Sequence, residues 1–288
     1  MTDSLSARPL SDRQFTQYYR QILLTDVGEQ GQQRLLQQHL IIVGIGGLGT
    51  HVTQQLAAAG IGHLYLVDDD KVETSNLPRQ VLFNASCVGH EKVDCAAKEI
   101  SQLNPDVTVS VYNEKFDEYF AQRLLSEHCV LNQAFKNDKL MVLDCTDNMP
   151  TRQLINAWCA TQSIPLVSAS VTAFLGQLMV VDGQVMPETG CYHCVFSATQ
   201  VQQNCTDMGV FGPMVAVVAS MQALTTIKHV LKINEPDNKL HVFDGLRLAW
   251  RNVVRHRDPH CTVCQHWHVS PSEAARWQTH SAAQEAYL

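Results

Sequence analysis

A glycine-rich segment is the first part of the chain whose residue types suggest chemistry. The residues from Gly44 to Gly49 (GIGGLG) follow a short apolar run and precede a helical pattern. Glycines let the backbone turn tightly beside a phosphate, and a helix N-terminus offers free N–H groups and a positive dipole to an anion. We therefore predict a nucleotide-binding turn in which Gly44, Gly46, Gly47 and Gly49 approach the phosphates. The alternative is a tight strand-to-helix turn without a ligand.

Three aspartates close the next apolar segment. Asp68, Asp69 and Asp70 follow the run from His63 to Val67. They lie about twenty residues beyond the glycines, where a carboxylate can accept hydrogen bonds from ribose hydroxyls. We predict that Asp68 and Asp70 contact the nucleotide. These residues leave its identity open, because a nicotinamide dinucleotide fits them as well as ATP does.

Two pairs of cysteines have the spacing of metal ligands. The chain has ten cysteines, and four of them form the C-x-x-C pairs Cys191 with Cys194 and Cys261 with Cys264. Two such pairs are typical of a tetrahedral zinc site with four thiolates. Since the pairs are far apart in sequence, the zinc would join two distant segments. The alternatives are a redox-active pair and a site with histidine ligands, for which the candidates are His193, His266 and His268.

The other cysteines fall into two groups. Five lie in apolar patterns and are predicted to be packing residues: Cys87, Cys95, Cys129, Cys145 and Cys159. The sixth, Cys205, has polar neighbours (QNCTD), so we predict that it is exposed. An exposed thiolate is a competent nucleophile; the alternative is a thiol without a role.

Apolar strands alternate with helices in the first half of the chain. We predict strands over Leu40 to Val43, His63 to Val67, Val107 to Val111, Leu140 to Leu143 and Ile164 to Ser168. We predict helices over Gly47 to Gly60, Glu91 to Leu103 and Thr151 to Thr161, after a helical region from Phe15 to Gln38 that is broken near Gly28 and Gly31. This order indicates an α/β protein with a Rossmann-like, mostly parallel sheet and helices on both faces.

The pattern becomes mixed after Val171. Strands are predicted over Gln177 to Val181, His241 to Asp244 and Leu248 to Val254, with a buried helix over Pro213 to Ile227. No repeat or linker divides the chain, so we predict one unit over residues 1–288. Residues 10–171 would form the nucleotide-binding half, 172–268 the zinc-stapled C-terminal half, and 269–288 a tail.

Composition excludes several classes of protein. The 288 residues are 45% hydrophobic and 17% charged, with a formal net charge of -7. A sizeable core can form, and the charge does not favour nucleic acid. No apolar signal segment opens the chain, and the run from Pro213 to Ile227 is too short and too polar to span a bilayer. We therefore expect a cytoplasmic protein with no nucleic acid and no membrane as partner.

Taken together, the ordered motifs resemble those of the ThiF/MoeB family, bacterial relatives of the ubiquitin-activating enzymes. The matching stretches are YRQILL (19–24), the glycine turn, SNLPRQ (75–80), DCTDN (144–148) and the two cysteine pairs. They extend over roughly residues 15 to 265. Within the family, the chain is most similar to the ThiF branch of thiamine thiazole synthesis.

The resemblance implies a reaction and two partners. The chain would use ATP to adenylate the C-terminal glycine of a small ubiquitin-like, ThiS-like sulfur carrier protein that ends in Gly-Gly, and would release pyrophosphate. We see no sulfurtransferase domain after the second cysteine pair, so we expect the sulfur donor to be a separate protein. Residues 172–268 would bind the carrier, and the enzyme would be a homodimer.

The resemblance also implies roles for particular residues. Asp68 and Asp70 would lie near the ribose and the metal, while the phosphates would be held by Asn76, Arg79 and Lys92. Asp147 would carry Mg²⁺. Arg20 would reach the phosphates of the ATP bound to the other subunit, and Cys205 would attack the acyl-adenylate or bond to the carrier. The implied cofactors and substrates are therefore ATP, Mg²⁺ and Zn²⁺.

This set of residues makes physical sense for adenylation. The attacking carboxylate and the triphosphate are both anions, so cations must lie where the transition state develops charge. An NAD-dependent oxidoreductase has no need of such cations, although Arg79 or Lys92 taken singly could be a solvated surface charge. Two further alternatives stay open: MoeB-like activation of a molybdopterin-synthase subunit, and an inactive adaptor that holds a ubiquitin-like partner.

Two positions and one longer stretch depart from the family pattern. Gln17 stands where an arginine is common, Pro78 replaces the usual glutamine before Arg79, and the stretch from Cys129 to Lys139 looks like an insertion. One cationic contact at the entrance would be missing, and the loop before Arg79 would be stiffer. None of these changes removes a residue to which a chemical role is assigned.

Overall fold

The computed structural model describes residues 9–196, 209–233 and 238–267. In this part of the chain the strands are β1 (His39–Val43), β2 (His63–Val67), β3 (Thr108–Tyr112), β4 (Leu140–Asp144), β5 (Leu166–Thr172), β6 (Leu175–Val181), β7 (Lys239–Asp244) and β8 (Ala249–Val254). The helices are α1 (Asp12–Ile22), α2 (Gly28–Leu36), α3 (Gly47–Ala59), α4 (Lys92–Leu103), α5 (Glu118–Glu127), α6 (Cys129–Lys136), α7 (Met149–Gln162), α8 (Tyr192–Val195) and α9 (Gly212–Leu231).

The eight strands form one sheet in the order β3-β2-β1-β4-β5-β6-β7-β8. The pairs from β3 to β5 are parallel, and the pairs from β5 to β8 are antiparallel. The predicted mixed, mostly parallel, Rossmann-like sheet is confirmed. The strand order reverses between β1 and β4, and ligands of open α/β sheets bind outside the carboxyl ends of the strands at such a point.

Helices cover both faces of the sheet, because the parallel strands are apolar on both sides. On one face α3, α4 and α9 pack in a core that contains Val52, Ile100 and Val218. On the other face α5, α6 and α7 pack in a core that contains Phe120, Leu131 and Ile155. All five residues of β1 and all five of β4 are buried, because helices cover both faces of these strands.

Several helix ends follow from local sequence. Ser11 caps α1 by accepting from the backbone N–H of Gln14, whose side chain bonds back in a capping box. Asn148 caps α7 by accepting from the backbone N–H of Thr151 at 3.0 Å. Gly60 ends α3 with a φ of 88°, a left-handed conformation that glycine adopts without strain.

The N-terminal helical region breaks at residues 23–27, directly before Gly28. This confirms the break predicted near Gly28 but not the one predicted near Gly31. Gly28 is the first residue of α2, and Gly31 lies inside it. A Cβ at Gly31 would come within 3.3 Å of Leu231 Cδ2 on α9. The glycine therefore allows two helices to pack closely, and the prediction of a break there was wrong.

Two helices were missed between β3 and β4. The stretch from Cys129 to Lys139, which looked like an insertion, contains α6, and Leu131 in that helix is fully buried. Cys129 is exposed rather than packed. The prediction of packing holds for Cys87, Cys145 and Cys159, which are buried, and Cys95 is half-buried.

Helix α9 confirms the predicted buried helix but is longer than expected. The helix extends beyond the run from Pro213 to Ile227, and its 20 residues are long and apolar enough to cross a membrane by length and composition alone. The helix packs against α3 and β5, and Val218, Ala219 and Ala223 are buried. Burial against the sheet therefore accounts for its apolar composition.

Candidate functional site

A cavity of about 890 Å³ opens at the carboxyl ends of β1, β2 and β4. This is the place where the strand order reverses, so the topology itself positions the site. Most of the residues selected from the sequence line this cavity. They are Gly44, Gly46, Gly47, Asp68, Asp70, Asn76, Arg79, Lys92 and Asp147.

The glycine turn needs glycine at two positions. Gly44 has a φ of 88°, and a Cβ there would come within 2.9 Å of the carbonyl oxygen of Cys145. A Cβ at Gly49 would come within 1.9 Å of the carbonyl oxygen of Gly44. Gly49 thus lies behind the turn rather than at the cavity. Helix α3 begins at Gly47, so its first N–H groups and positive dipole end face the cavity.

Asp68 holds the glycine turn in place. Its Oδ2 accepts from the backbone N–H of Ile45 at 2.6 Å, and its Oδ1 accepts from that of Asp70 at 2.9 Å. Burial raises the pKa of Asp68, while the positive charge of Lys92 and these two hydrogen bonds act in the opposite direction. Asp70 is more open, with 68% of its side chain exposed. Asp70 is thus the freer of the two carboxylates for a ligand.

Lys92 is a buried cation at the edge of the cavity. It is the first residue of α4, and its side chain is 8% exposed. Its Nζ donates to Asp70 Oδ2 at 2.7 Å and lies 3.9 Å from Asp68 Oδ1. A cation at a helix N-terminus opposes the helix dipole. The two carboxylates compensate for this cost and hold the ammonium group at the cavity.

Asn76 and Arg79 come from the loop before α4. Asn76 is buried, and its Oδ1 accepts from the backbone N–H of Glu73 at 3.0 Å. Arg79 Nη1 donates to the carbonyl oxygen of Ser75 at 2.8 Å. This contact fixes the guanidinium group beside the cavity and leaves its remaining donors for a ligand.

Asp147 occupies the loop between β4 and α7. Its side chain is exposed and lines the cavity, and within the described ranges its carboxylate makes no hydrogen bond or ion pair. The next residue caps α7, which fixes the direction of the loop. The carboxylate is therefore free to accept a cation or a donor.

The sequence analysis missed Arg152, a buried cation that lines the same cavity. Its guanidinium donates to the carbonyl oxygen of Thr146 and lies 3.8 Å from Asp144 Oδ2. Ser168 Oγ also donates to Asp144 Oδ2, at 2.6 Å. A signal existed, because Arg152 is the one basic residue on the helix that follows Asp147.

The structure does not bring Arg20 to the cavity. Arg20 is exposed in the last turn of α1 and does not line it. Cys205 lies outside the described residues. The roles implied for both of them stay predictions.

The four paired cysteines converge, although the two pairs are 70 residues apart. The Sγ–Sγ distances are 4.0 Å for Cys191 and Cys194, 3.7 Å for Cys191 and Cys261, and 3.5 Å for Cys194 and Cys264. A tetrahedron of thiolates about 2.3 Å from zinc has edges of about 3.8 Å. The four sulfurs therefore fit a zinc ion.

The histidine alternatives are less favourable for this metal site. His193 Nδ1 contacts Gln153 Oε1 at 3.1 Å, and His266 Nε2 contacts the carbonyl oxygen of Ala160 at 3.1 Å. His268 lies outside the described residues. In the part of the chain that the structure describes, the groups of three or more side chains that could hold a metal are the four cysteines and the cluster of Asp68, Asp69 and Asp70.

Known proteins are similar to this chain in sequence. The ThiF family model matches residues 18–263. The sulfur carrier protein ThiS adenylyltransferase of Escherichia coli is 42% identical over 256 residues, which are 88% of this chain and 97% of that protein. The molybdopterin-synthase adenylyltransferase of Salmonella typhimurium is 34% identical over 259 residues, or 88% of this chain and 98% of that protein.

Solved structures agree on the fold. The crystal structure of E. coli MccB with MccA-N7isoASN has a TM-score of 0.70 and 23% identity, and covers 86% of this chain and 74% of that one. The family model spans most of the described residues, from α1 to the second cysteine pair. The resemblance inferred from the sequence motifs is confirmed: the chain belongs to the ThiF family.

Proposed function

We propose that this chain adenylates the C-terminal glycine carboxylate of a small ubiquitin-like sulfur carrier protein, releasing pyrophosphate from ATP. The carrier would be ThiS-like and serve thiamine thiazole synthesis, as the name of the relative at 42% identity suggests. The observation that carries the proposal is the cavity itself. It combines a helix N-terminus, the cations Arg79 and Lys92, and the free carboxylate of Asp147.

Several described residues offer groups that this reaction needs. The N–H groups at the start of α3 bind phosphate oxygens, and Asp70 can accept from a ribose hydroxyl. Arg79 and Lys92 offset the repulsion between the incoming carboxylate and the triphosphate. The step needs no covalent nucleophile from the protein, because positioning and charge are sufficient.

Two metals fit the residues that would hold them. Asp147 offers a carboxylate oxygen that has no partner among the described residues, and carboxylate oxygens are the type of ligand that Mg²⁺ prefers. When bound, Mg²⁺ supplies positive charge at the phosphate oxygens. The four thiolates of Cys191, Cys194, Cys261 and Cys264 suit a structural Zn²⁺ that joins the C-terminal segment to the body.

Other features of the proposal concern assembly. The enzyme would be a cytoplasmic homodimer in which Arg20 contacts the nucleotide of the other subunit. A separate protein would donate sulfur, and Cys205 would react with the activated carrier. The exposed position of Arg20, away from its own cavity, is compatible with such a contact.

A second candidate is activation of a molybdopterin-synthase small subunit. The relative at 34% identity favours it, since it is named for that substrate. Both candidates use the same cavity and the same chemistry. They differ in the carrier surface that is recognised.

One experiment separates these candidates. The protein is mixed with ATP, Mg²⁺ and either a ThiS-like or a molybdopterin-synthase carrier, and each carrier is examined by mass spectrometry. We expect an AMP adduct on the terminal glycine of the ThiS-like carrier, formed faster than on the other. An adduct on the molybdopterin carrier alone would support the second candidate. No adduct on either carrier, with folded protein that binds ATP, would refute both.

A further inference from the structure

Gln222 connects helix α9 to the strand end that precedes Asp147. Its side chain is fully buried in the middle of the helix. Nε2 donates to the carbonyl oxygens of Asp144 and Val167, both at 3.0 Å. Oε1 accepts from Cys145 Sγ at 3.5 Å. One amide thus contacts two neighbouring parallel strands, β4 and β5, and uses both of its ends.

These contacts lie at the point where β4 leaves the sheet. Asp144 is the last residue of β4, and it pairs with Ser168 at the last position of the β4–β5 register. Its carboxylate accepts from Thr146 N at 3.0 Å and from Thr146 Oγ1 at 2.6 Å. The carboxylate therefore fixes the first residues of the loop, while Gln222 fixes the backbone from which that loop departs.

The same strand end supports the glycine turn. The carbonyl oxygen of Cys145 lies so close to Gly44 that a Cβ there would approach it to 2.9 Å. The Cys145 side chain faces Gly49, at 3.6 Å from a Cβ built on that glycine. The loop that carries Asp147 therefore departs from a strand end that is packed directly against the glycine turn.

The Gln222 amide satisfies two backbone oxygens that an apolar side chain would leave without these donors. The carbonyl oxygens of Asp144 and Val167 both point to a buried position, and a buried polar group that loses its partner is destabilised. Without the two donors, β4 and β5 would shift to satisfy these oxygens. The loop that begins at Asp144 would move with them.

We propose that Gln222 is a positioning residue, whose side-chain amide sets the end of β4 so that Asp147 faces the glycine turn at the distance needed for the nucleotide and its metal. This inference rests on the proposed function, because it assigns Asp147 to the Mg²⁺-bound nucleotide. Gln222 itself does not touch the cavity; it acts through the backbone of Asp144.

The test compares Gln222→Met with Thr226→Val. Methionine keeps the length of the side chain and removes its donors and acceptor. Thr226 is buried one turn later on α9, and its Oγ1 donates to the carbonyl oxygen of Gln222, within the helix. ATP binding is measured by calorimetry in excess Mg²⁺ and in EDTA, and kcat and KM for ATP are measured by pyrophosphate exchange.

A positioning role predicts a selective loss. In Gln222→Met, ATP affinity in Mg²⁺ and kcat should each fall about 10- to 100-fold, the effect of displacing a reacting group by about 1 Å. Affinity in EDTA should change by less than about threefold, and Thr226→Val should stay within about threefold in every measurement. If Gln222→Met does not fold, Gln222→Asn withdraws the amide by one methylene and should give the same pattern.

Other results would overturn the inference. Folded Gln222→Met with wild-type affinity in Mg²⁺ and wild-type kcat would show that the amide does not position the loop. Equal losses in Gln222→Met and Thr226→Val would show a general effect of α9. The proposed function fails separately, if wild-type protein binds ATP but shows no exchange; the calorimetric comparison then still decides the role of Gln222.

Discussion

Replacement of Lys92 by methionine gives a direct test of the charge in the cavity. Methionine keeps much of the buried aliphatic chain and removes the ammonium group. Lys92 Nζ lies 2.7 Å from Asp70 Oδ2 and 3.9 Å from Asp68 Oδ1. The variant therefore changes both the electrostatics seen by a phosphate and the environment of two carboxylates.

The two contacts contribute differently to stability. Because 68% of the Asp70 side chain is exposed, its ion pair should contribute less than about 1 kcal/mol. The Asp68 side chain is 9% exposed, and a unit charge at 3.9 Å is worth about 4 kcal/mol at an effective dielectric constant of 20. Asp68 keeps two backbone hydrogen bonds and can take up a proton. We therefore expect a loss of about 2 kcal/mol in the free energy of unfolding.

The pH dependence of this loss has a definite sign. Burial already raises the pKa of Asp68 above its ordinary value of 3.8, and removal of Lys92 raises it further. A carboxyl group whose pKa is higher in the folded state is least destabilising below its unfolded pKa, where both states bind the proton. The variant should therefore approach wild-type stability near pH 4 and fall behind it as the pH rises to 7.

The effect on catalysis should exceed the effect on stability. Loss of one preorganised group that stabilises a developing charge lowers kcat by about 100- to 1000-fold. The assay is ATP–pyrophosphate exchange with the carrier protein present, below the unfolding temperature of both proteins. Lys98→Met, an exposed lysine on the same helix, is the matched control, with a stability change of less than about 0.5 kcal/mol. Folded Lys92→Met with near-wild-type exchange would refute the reasoning.

Three further substitutions test the zinc site, the glycine turn and a buried histidine. Cys261→Ser should reduce bound zinc well below one ion per chain by elemental analysis and lower the unfolding free energy by at least about 3 kcal/mol; full stability of metal-free wild-type protein would contradict this. Gly49→Ala places a Cβ 1.9 Å from a backbone oxygen, so it should lower the free energy of unfolding in urea by roughly 3 kcal/mol. A Cβ at Gly209 meets nothing within 4 Å in the described part of the chain, so Gly209→Ala should be nearly neutral. Burial, with a smaller effect of the neighbouring His63, lowers the pKa of His39 from 6.5 to about 4. The free energy of unfolding of the wild type should therefore fall by about 3 kcal/mol as the pH drops from 6.5 to 4. His39→Gln should flatten that pH profile, and an unchanged profile would show that His39 does not cause it.

The part of the fold that follows from neighbouring residues was predictable. Strand β1, the glycine turn and α3 have signals within a single short stretch, since apolar runs and glycines act locally. The first helical region was harder to predict from the sequence. Gly31 has the appearance of a helix breaker, but it lies inside α2 and allows close packing against Leu231 of α9. Helices α5 and α6 were missed because they are short and joined at His128.

The sequence by itself determined the residue types of the site and their order: the turn at Gly44, the cation Lys92, the carboxylate Asp147, and the two cysteine pairs. These depend on spacing along the chain. Only the tertiary structure decided how Lys92 pairs with Asp70, and how Gln222 reaches Asp144, 78 residues earlier. Such contacts form where distant segments pack on a common core, and local sequence patterns do not predict which side chains will meet there.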